Sequence, residues 1–145
     1  MIVKFAKLSA DAITPTYGSA SAAGADLYNY KTDVIIDAGK TAFIETGIIA
    51  EIPEGYAGLV FARSGLACRE GLAPANKVGV IDSDYRGEIK VAIFNHSGEK
   101  KVIKKGERVA QLVIIPYLRA EFTQETVENL TVTKRGDGGF GSTGK

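Results

Sequence analysis

The sequence contains very little cysteine and almost no net charge, and both facts narrow the class of protein. A single cysteine in 145 residues, Cys68, can form neither an intrachain disulfide nor a cysteine metal cluster. We expect this thiol to be buried and structural, in a reducing compartment. The chain has 18 Lys and Arg against 17 Asp and Glu. It therefore lacks the broad basic surface that holds a nucleic-acid polymer, and any phosphate binding must be local.

Long apolar runs are also missing. The longest, from Val109 to Tyr117, is interrupted by Gln111 and is far shorter than a membrane span. Met1 to Phe5 show strand-like alternation in place of an export signal, so we expect a cytoplasmic protein with no membrane partner. With 45% hydrophobic and 24% charged residues, the composition is that of a globular domain with one core.

Short segments rich in β-branched and aromatic residues recur along the chain and are separated by turn-forming residues. They predict strands near residue 3 and over residues 34–36, 42–45, 48–52, 58–61, 89–94, 102–103 and 108–116. The best helix candidate is one or two turns over residues 64–70, ended by Gly71. This pattern favours an all-β fold, a jelly-roll-like barrel or sandwich, formed by residues 1–134 as a single domain.

Residues 135–145 have a different composition, because five of the ten residues from 135 to 144 are glycine. Such a segment is either a frayed chain end or a flexible arm that closes over a ligand. In the second case its amides would meet phosphate and Phe140 would meet a ring. Residues 136–141 also match the G-x-G-x-x-G fingerprint, but too few residues follow for the helix that a dinucleotide-binding fold requires.

Two polar segments are candidates for chemistry. Residues 79–89 contain two strand-like pieces joined by a polar turn, which predicts a hairpin. Asp82 in this turn can act as a general base and Tyr85 can cover a sugar, although Asp-Ser-Asp is also an ordinary solvated turn. Arg63-Ser64-Gly65 ends a strand and begins the helical turn. It is either a small anion site or a surface arginine in a plain turn.

Five ordered segments of the sequence resemble the motifs of the trimeric deoxyuridine triphosphatases (dUTPases). They are residues 23–28, 62–67, Asn76 with 79–89, 106–112 and 135–144, and they span nearly the whole chain. One departure is Ala62, where the family commonly has proline. The resemblance implies an all-β homotrimer with sites shared between subunits. It also implies hydrolysis of dUTP to dUMP and pyrophosphate with Mg²⁺ held by the triphosphate, which limits uracil in DNA and supplies dUMP.

The resemblance also implies roles for individual residues. Asp82 would activate a water for attack on the α-phosphorus. Asp26 and Gln111 would support the metal through water, or Asp26 would pair with an arginine, and no residue would bind the metal directly. The residues expected to bind substrate are Arg63, Ser64, Gly65, Asn76, Gly79, Tyr85, Gln111, Arg135, Phe140, Gly141, Ser142 and Thr143.

Two other functions have to be weighed. A dCTP deaminase shares this fold and releases ammonia, but it uses a glutamate and an extended R-S-S motif, whereas this chain has Asp82 and a complete glycine arm. A non-catalytic nucleotide-binding module would lack the base or the arm, and both are present. His96 follows a predicted strand, and we expect it at the surface with no catalytic role.

Overall fold

A computed structural model describes residues 1–139 and shows a chain built mainly of short strands. The elements are β1 (Lys4–Lys7), β2 (Thr16–Tyr17), β3 (Ala25–Tyr28), β4 (Val34–Ile36), β5 (Thr41–Glu45), β6 (Ile48–Glu51), β7 (Tyr56–Ala62), α1 (Ser64–Glu70), β8 (Leu72–Pro74), β9 (Gly79–Ile81), β10 (Lys90–Asn95), β11 (Lys101–Ile103), β12 (Arg108–Pro116) and a 3-10 turn (Val127–Asn129). The predicted all-β class is confirmed. Within residues 1–139, no helix is long and apolar enough to cross a membrane.

The strands form one large sheet and three smaller ones, and every strand pairing is antiparallel. The large sheet has the order β2-β3-β12-β7-β9, and a second sheet has the order β5-β10-β8. Two further pairs are β1 with β6 and β4 with β11. At the centre of the large sheet, β12 and β7 are in continuous register from Ala110 opposite Ala62 to Pro116 opposite Tyr56. This long pairing makes β7 and β12 the frame that positions the loops at both ends of the sheet.

A buried apolar cluster fills the space between the sheets. Leu27, Ile44, Ile93, Ile103 and Val109 are each no more than 1% exposed. Complete burial of one such aliphatic side chain contributes about 1.5–3 kcal/mol. Because these five side chains come from five different strands, the cluster packs the sheets against one another.

The helix α1 confirms the prediction made for residues 64–70. The chain enters it from an extended Arg63 (φ −86°, ψ 129°) and leaves it at Gly71, whose φ of 68° lies in the left-handed region that glycine adopts without strain. No residue of α1 is buried. The prediction of a buried Cys68 is therefore wrong: its thiol is exposed, because the helix lies on the surface.

The hairpin predicted for residues 79–89 does not form. Strand β9 pairs with β7 in the large sheet, whereas β10 pairs with β5 and β8 in the second sheet. Residues 82–89 are consequently a loop that crosses from one sheet to the other. Pairing within the segment alone would give a two-stranded ribbon, which is marginally stable, whereas separate pairing places each strand in a larger sheet.

After β12 ends at Pro116, the chain leaves the sheets. The apolar side chains of Leu118, Phe122 and Val132 are 99%, 96% and 93% exposed. Residues 117–139 therefore add little to the buried cluster of this chain. The predicted domain boundary at residue 134 stays a prediction.

Candidate active site

Asp26 is a buried carboxylate that holds two arginines. Strand β3 places it in the large sheet, where it is 2% exposed. Its Oδ1 accepts a hydrogen bond from Nε of Arg63 at 3.0 Å, and its Oδ2 accepts one from Nη1 of Arg108 at 3.2 Å. Pairing with an arginine, one of the two possibilities considered for Asp26, is thus what the structure shows. We call these three residues the arginine cluster.

The arginine cluster has a net positive charge and can still bind an anion. Arg63 follows the last residue of β7 and also donates from Nη1 to the carbonyl oxygen of Arg108 at 3.2 Å. The side chains of Arg63 and Arg108 are 24% and 49% exposed. Since a guanidinium has five N–H donors, both arginines can donate to a further oxygen acceptor. Two cations against one carboxylate suit a phosphate at this end of the sheet.

Other residues predicted to bind phosphate lie beside the arginine cluster. Gln111 on β12 is directly opposite Asp26 on β3, so the two side chains share a face of the sheet. Ser64 and Gly65 open α1 immediately after Arg63, and Ser64 is exposed. The structure therefore brings Arg63, Ser64, Gly65 and Gln111 to one end of the large sheet, and their role in substrate binding stays a prediction.

Asp82 is exposed on the loop that leaves β9. We call residues 82–88 the Asp82 loop. Its first turn is closed by the N–H of Tyr85 donating to the carbonyl oxygen of Asp82 at 3.2 Å. Arg86 holds the turn from outside, because its Nη1 donates to the carbonyl oxygens of Ser83 at 2.6 Å and Tyr85 at 2.9 Å. Asp82 lines an open cleft of about 910 Å³ and a second pocket of about 320 Å³.

Tyr85 is folded back onto its own loop. Its hydroxyl donates to the carbonyl oxygen of Glu88 at 3.0 Å, and its ring lies directly over Gly87. A Cβ on Gly87 would lie 2.5 Å from Cζ of Tyr85, so a side chain at position 87 would displace the ring. The ring is 43% exposed and lines the smaller pocket beside Asp82. This pocket has an aromatic wall and a carboxylate, a combination suited to a sugar next to a reacting group.

Asn76 and Gly79 lie at the start of β9. Gly79 is buried, and a Cβ there would lie 3.2 Å from Nδ2 of Asn76 and 3.4 Å from Cβ of Val60. The absence of a side chain at Gly79 thus allows Asn76 to fold over the strand. Both residues belong to the segment that leads into the Asp82 loop.

Within one chain, the Asp82 loop and the arginine cluster lie at opposite ends of β7. Ile81 pairs with Gly58 near the start of β7, whereas Arg63 follows its end. At about 3.4 Å per residue, the five positions between Gly58 and Arg63 correspond to roughly 17 Å. Among the described residues, the Asp82 loop and the arginine cluster are therefore two groups that do not meet within one chain.

The glycine-rich segment is described only in part. Arg135 is exposed, and its Nε donates to the carbonyl oxygen of Gly138 at 2.7 Å within a local turn. None of its hydrogen bonds within residues 1–139 reaches the arginine cluster or the Asp82 loop. The other predicted residues of this segment, Phe140, Gly141, Ser142 and Thr143, lie outside the described residues.

A charged patch adjoins the Asp82 loop. Lys31 donates to Glu45 at 2.8 Å and lowers the pKa of that carboxyl, with a smaller contribution from Lys90. Hydrogen bonds from Lys90 to Glu45 and then Glu88 raise the pKa of the Lys90 ammonium. Glu45 and both lysines therefore stay ionised at neutral pH.

Fold and site together define an all-β protein with an arginine cluster suited to an anion at one end of β7 and an aspartate-bearing loop at the other. A family model for dUTPase matches residues 10–144. The chain is 50% identical over 145 residues to the deoxyuridine 5'-triphosphate nucleotidohydrolase of Nautilia profundicola, with 100% of each chain covered. It is 46% identical over 138 residues to that of a Hydrogenobaculum species, with 95% of this chain and 94% of the relative covered. The chain belongs to the dUTPase family.

Solved structures agree with this assignment. The dUTPase of Staphylococcus bacteriophage 80alpha with dUpNHpp superposes with a TM-score of 0.85 at 30% identity, covering 99% of each chain. A point variant of the dUTPase from phage phi11 of S. aureus, described with a structural Mg(II) ion, has a TM-score of 0.79 at 28% identity and covers 88% of this chain and 99% of its own. The family predicted from the sequence motifs is therefore confirmed.

Proposed function

We propose that the protein hydrolyses dUTP to dUMP and pyrophosphate, and so limits uracil in DNA and supplies dUMP for thymidylate synthesis. The observation that carries the proposal is the presence of two groups at the two ends of β7, an arginine cluster suited to phosphate and a loop with Asp82 and Tyr85. The relatives named as deoxyuridine triphosphate nucleotidohydrolases, and the phage enzyme with a dUTP analogue, support it.

Asp82 is the proposed general base. Its carboxylate is exposed beside the smaller pocket, on a turn held by Arg86. It would orient a water and take its proton while the water oxygen attacks the α-phosphorus in line. The bond from that phosphorus to the bridging oxygen breaks, and pyrophosphate leaves. Most of the acceleration would come from positioning and from stabilisation of charge on the phosphates.

The arginine cluster is the proposed phosphate-binding end. Asp26 holds the guanidinium of Arg63 at one edge, which fixes the direction of its remaining donors. Ser64, Gly65 and Gln111 would add a hydroxyl, an amide and a carboxamide. Further donors would come from the glycine-rich segment, namely Arg135, Gly141, Ser142 and Thr143.

Selectivity for the nucleoside is proposed to come from the segment 76–87. Its backbone groups would pair with the uracil edge, and a tight loop would exclude the methyl group of thymine. Tyr85 would occupy the space that a ribose 2′-hydroxyl needs. Phe140 would stack on the uracil ring, a type of contact worth about 1–3 kcal/mol in single-strand binders.

The proposed cofactor is Mg²⁺ bound through the substrate. Among residues 1–139 no three His, Cys, Asp or Glu side chains are grouped closely enough to hold a metal, and both oxygens of Asp26 bind arginines. This donor set fits an ion that the triphosphate oxygens chelate and that keeps several waters, which Asp26 and Gln111 can orient. When bound, Mg²⁺ would neutralise phosphate charge.

The proposed assembly is a homotrimer with shared sites. The separation of roughly 17 Å along β7 supports it, because one substrate must contact both Asp82 and the arginines. A closed three-fold ring would bring the Asp82 loop of one copy against the arginine cluster of the next. A cytoplasmic location is also proposed, and the exposed free thiol of Cys68 suits a reducing compartment.

The activity is tested by measuring pyrophosphate and ammonia release from dUTP, dCTP, dTTP and UTP, with and without a chelator. We expect pyrophosphate from dUTP alone, and its loss with chelator. Ammonia from dCTP would identify a deaminase instead. Nucleotide binding without either product would identify a non-catalytic module.

The shared site is tested by co-refolding two inactive variants, Asp82→Asn and a chain lacking residues 135–145. If the loop and the glycine-rich segment of one site come from different subunits, one-to-one mixing restores about a quarter of the sites. Each variant refolded alone is the control. Mixed trimers, verified by mass, that recover no activity would show that each segment serves its own subunit.

A further inference from the structure

We propose that Glu88 is a positioning residue that sets the preference for deoxyribose over ribose through the ring of Tyr85. The effect of Glu88 on the preference between dUTP and UTP rests on the proposed dUTP hydrolysis. Glu88 accepts two hydrogen bonds from different parts of the chain. Its side chain accepts one from the turn between β5 and β6, and its carbonyl oxygen accepts one from Tyr85.

The side chain of Glu88 is directed inward. It is 9% exposed, and its Oε1 accepts a hydrogen bond from the backbone N–H of Gly47 at 2.8 Å. Its Oε2 lies 3.4 Å from Nζ of Lys90. The carbonyl oxygen of the same residue accepts the hydroxyl of Tyr85 at 3.0 Å. Glu88 thus links the Tyr85 ring, which lines the smaller pocket, to the turn between β5 and β6.

The turn that is hydrogen-bonded to the Glu88 side chain is itself held by buried hydrogen bonds. Thr46 is fully buried, and its hydroxyl donates to the carbonyl oxygen of Ile89 at 2.6 Å, while the N–H of Ile89 donates to the carbonyl oxygen of Ile48 at 2.8 Å. Gly47 has a φ of 67°, and a Cβ there would lie 2.7 Å from Cβ of Ala12. The end of the Asp82 loop is therefore hydrogen-bonded to a turn that packs closely against Ala12 and is tied to Ile89.

Loss of the Glu88 side chain would release the carbonyl oxygen that holds Tyr85. Thr46 would still fix Ile89, but residues 87 and 88 could then turn. Because the ring of Tyr85 rests on Gly87, it would move with that segment. The Tyr85 ring would then no longer fill the space next to the sugar. A nucleotide with a ribose 2′-hydroxyl could therefore bind there.

The kinetic test compares kcat/KM for dUTP with that for UTP. We expect Glu88→Ala to lower this ratio by up to about 10- to 100-fold, the range that corresponds to one hydrogen bond to a charged acceptor. Glu88→Gln keeps an acceptor oxygen and should restore the ratio. Asp33→Ala is the matched control, since Asp33 also accepts a backbone N–H, that of Lys105, at 2.8 Å. A Glu88→Ala protein that loses activity on both nucleotides equally would overturn the proposal.

A second comparison asks whether Glu88 acts through Tyr85. In a Tyr85→Ala background, Glu88→Ala should leave the ratio unchanged, because there is no ring to position. An equal fall in both backgrounds would contradict the proposal. If Glu88→Ala fails to fold, Tyr85→Phe breaks the same link while keeping the ring, and it too should lower the ratio. An unchanged ratio in Tyr85→Phe would refute the proposal.

Fluorine NMR of protein labelled with fluorotyrosine tests the positioning without any turnover. The Tyr85 resonance, assigned by its absence in Tyr85→Phe, should shift toward the free amino acid in Glu88→Ala and stay in place in Asp33→Ala. A resonance that does not move in Glu88→Ala refutes the proposal. A shift in a protein that releases no pyrophosphate from dUTP would refute the proposed function and leave the role of Glu88 in holding Tyr85 supported.

Discussion

Replacement of Asp26 by asparagine removes the charge that holds Arg63 and Arg108 together at the end of β7. Asparagine has nearly the same size, so packing is preserved. Its carbonyl oxygen can accept from one arginine, but its NH₂ group then faces the other guanidinium, donor against donor. Since Asp26 is 2% exposed, bulk water has little access to replace the lost partner.

The expected loss in the free energy of unfolding follows from how exposed the two arginine side chains are. A hydrogen bond between charged groups such as Asp26 and Arg63 contributes about 1.5–3 kcal/mol, whereas the bond to Arg108, half exposed, contributes about 0–1 kcal/mol. With the unsatisfied amide included, we expect a loss of about 2–4 kcal/mol in the free energy of unfolding. At a typical urea m-value of about 2 kcal/mol/M, the midpoint would fall by about 1–2 M.

The assay is urea unfolding followed by circular dichroism, at one chain concentration because the stability of the proposed trimer would depend on concentration. Glu45→Gln is the matched control: Glu45 also binds two cations, Lys31 at 2.8 Å and Lys90 at 3.4 Å, but both are about half exposed. Its midpoint should stay close to that of the wild type. Equal falls in the two variants, or no fall in Asp26→Asn, would refute the reasoning from burial.

Three further results are expected. Asp82→Asn should lower turnover about 10²–10⁴-fold while calorimetry still detects dUTP binding, and wild-type turnover would show that the base lies elsewhere. Deletion of residues 135–145 removes no strand found within residues 1–139, where β12 ends at Pro116, so the thermal midpoint should hold while activity is lost. An active truncated protein would make the segment an ordinary chain end. The pKa of Glu45 is lowered from 4.5 by Lys31 and Lys90, so its small stabilisation is present above about pH 4.5 and lost as pH falls through the lowered value. A difference in thermal midpoint between wild type and Glu45→Gln that grows in acid would contradict this.

Local signals in the sequence were sufficient for several elements. The helix over residues 64–70 and its end at Gly71 were predicted because a left-handed glycine is a local feature. Strands β4 and β12 have the predicted bounds, since all three residues of β4 and four of the nine in β12 are β-branched. Strands β2, β3 and β8 were not predicted: they have two to four residues each and show too little alternation to be recognised.

Partners and burial could not be predicted, because both depend on distant parts of the chain. Alternation in residues 79–89 indicated two strands, but it could not show that β7 and β5 would pair with them. The exposure of Cys68 depends on where α1 packs. Arg108 lies inside a recognised motif, yet its bond to Asp26 follows from the register of β12 against β3. No local pattern in the sequence indicates the hydrogen bond of the Glu88 side chain, since its partner Gly47 is 41 residues away.

Strand β7 has a consequence for how this chain can evolve. It separates the Asp82 loop from Arg63 by a fixed number of residues, and so fixes the distance between them. An insertion of one residue would rotate Arg63 to the opposite face of the sheet, away from Asp26. An insertion of two would restore the face but lengthen the separation by about 7 Å. Side chains along β7 can therefore change gradually, whereas its length can change only together with the geometry of the proposed trimer.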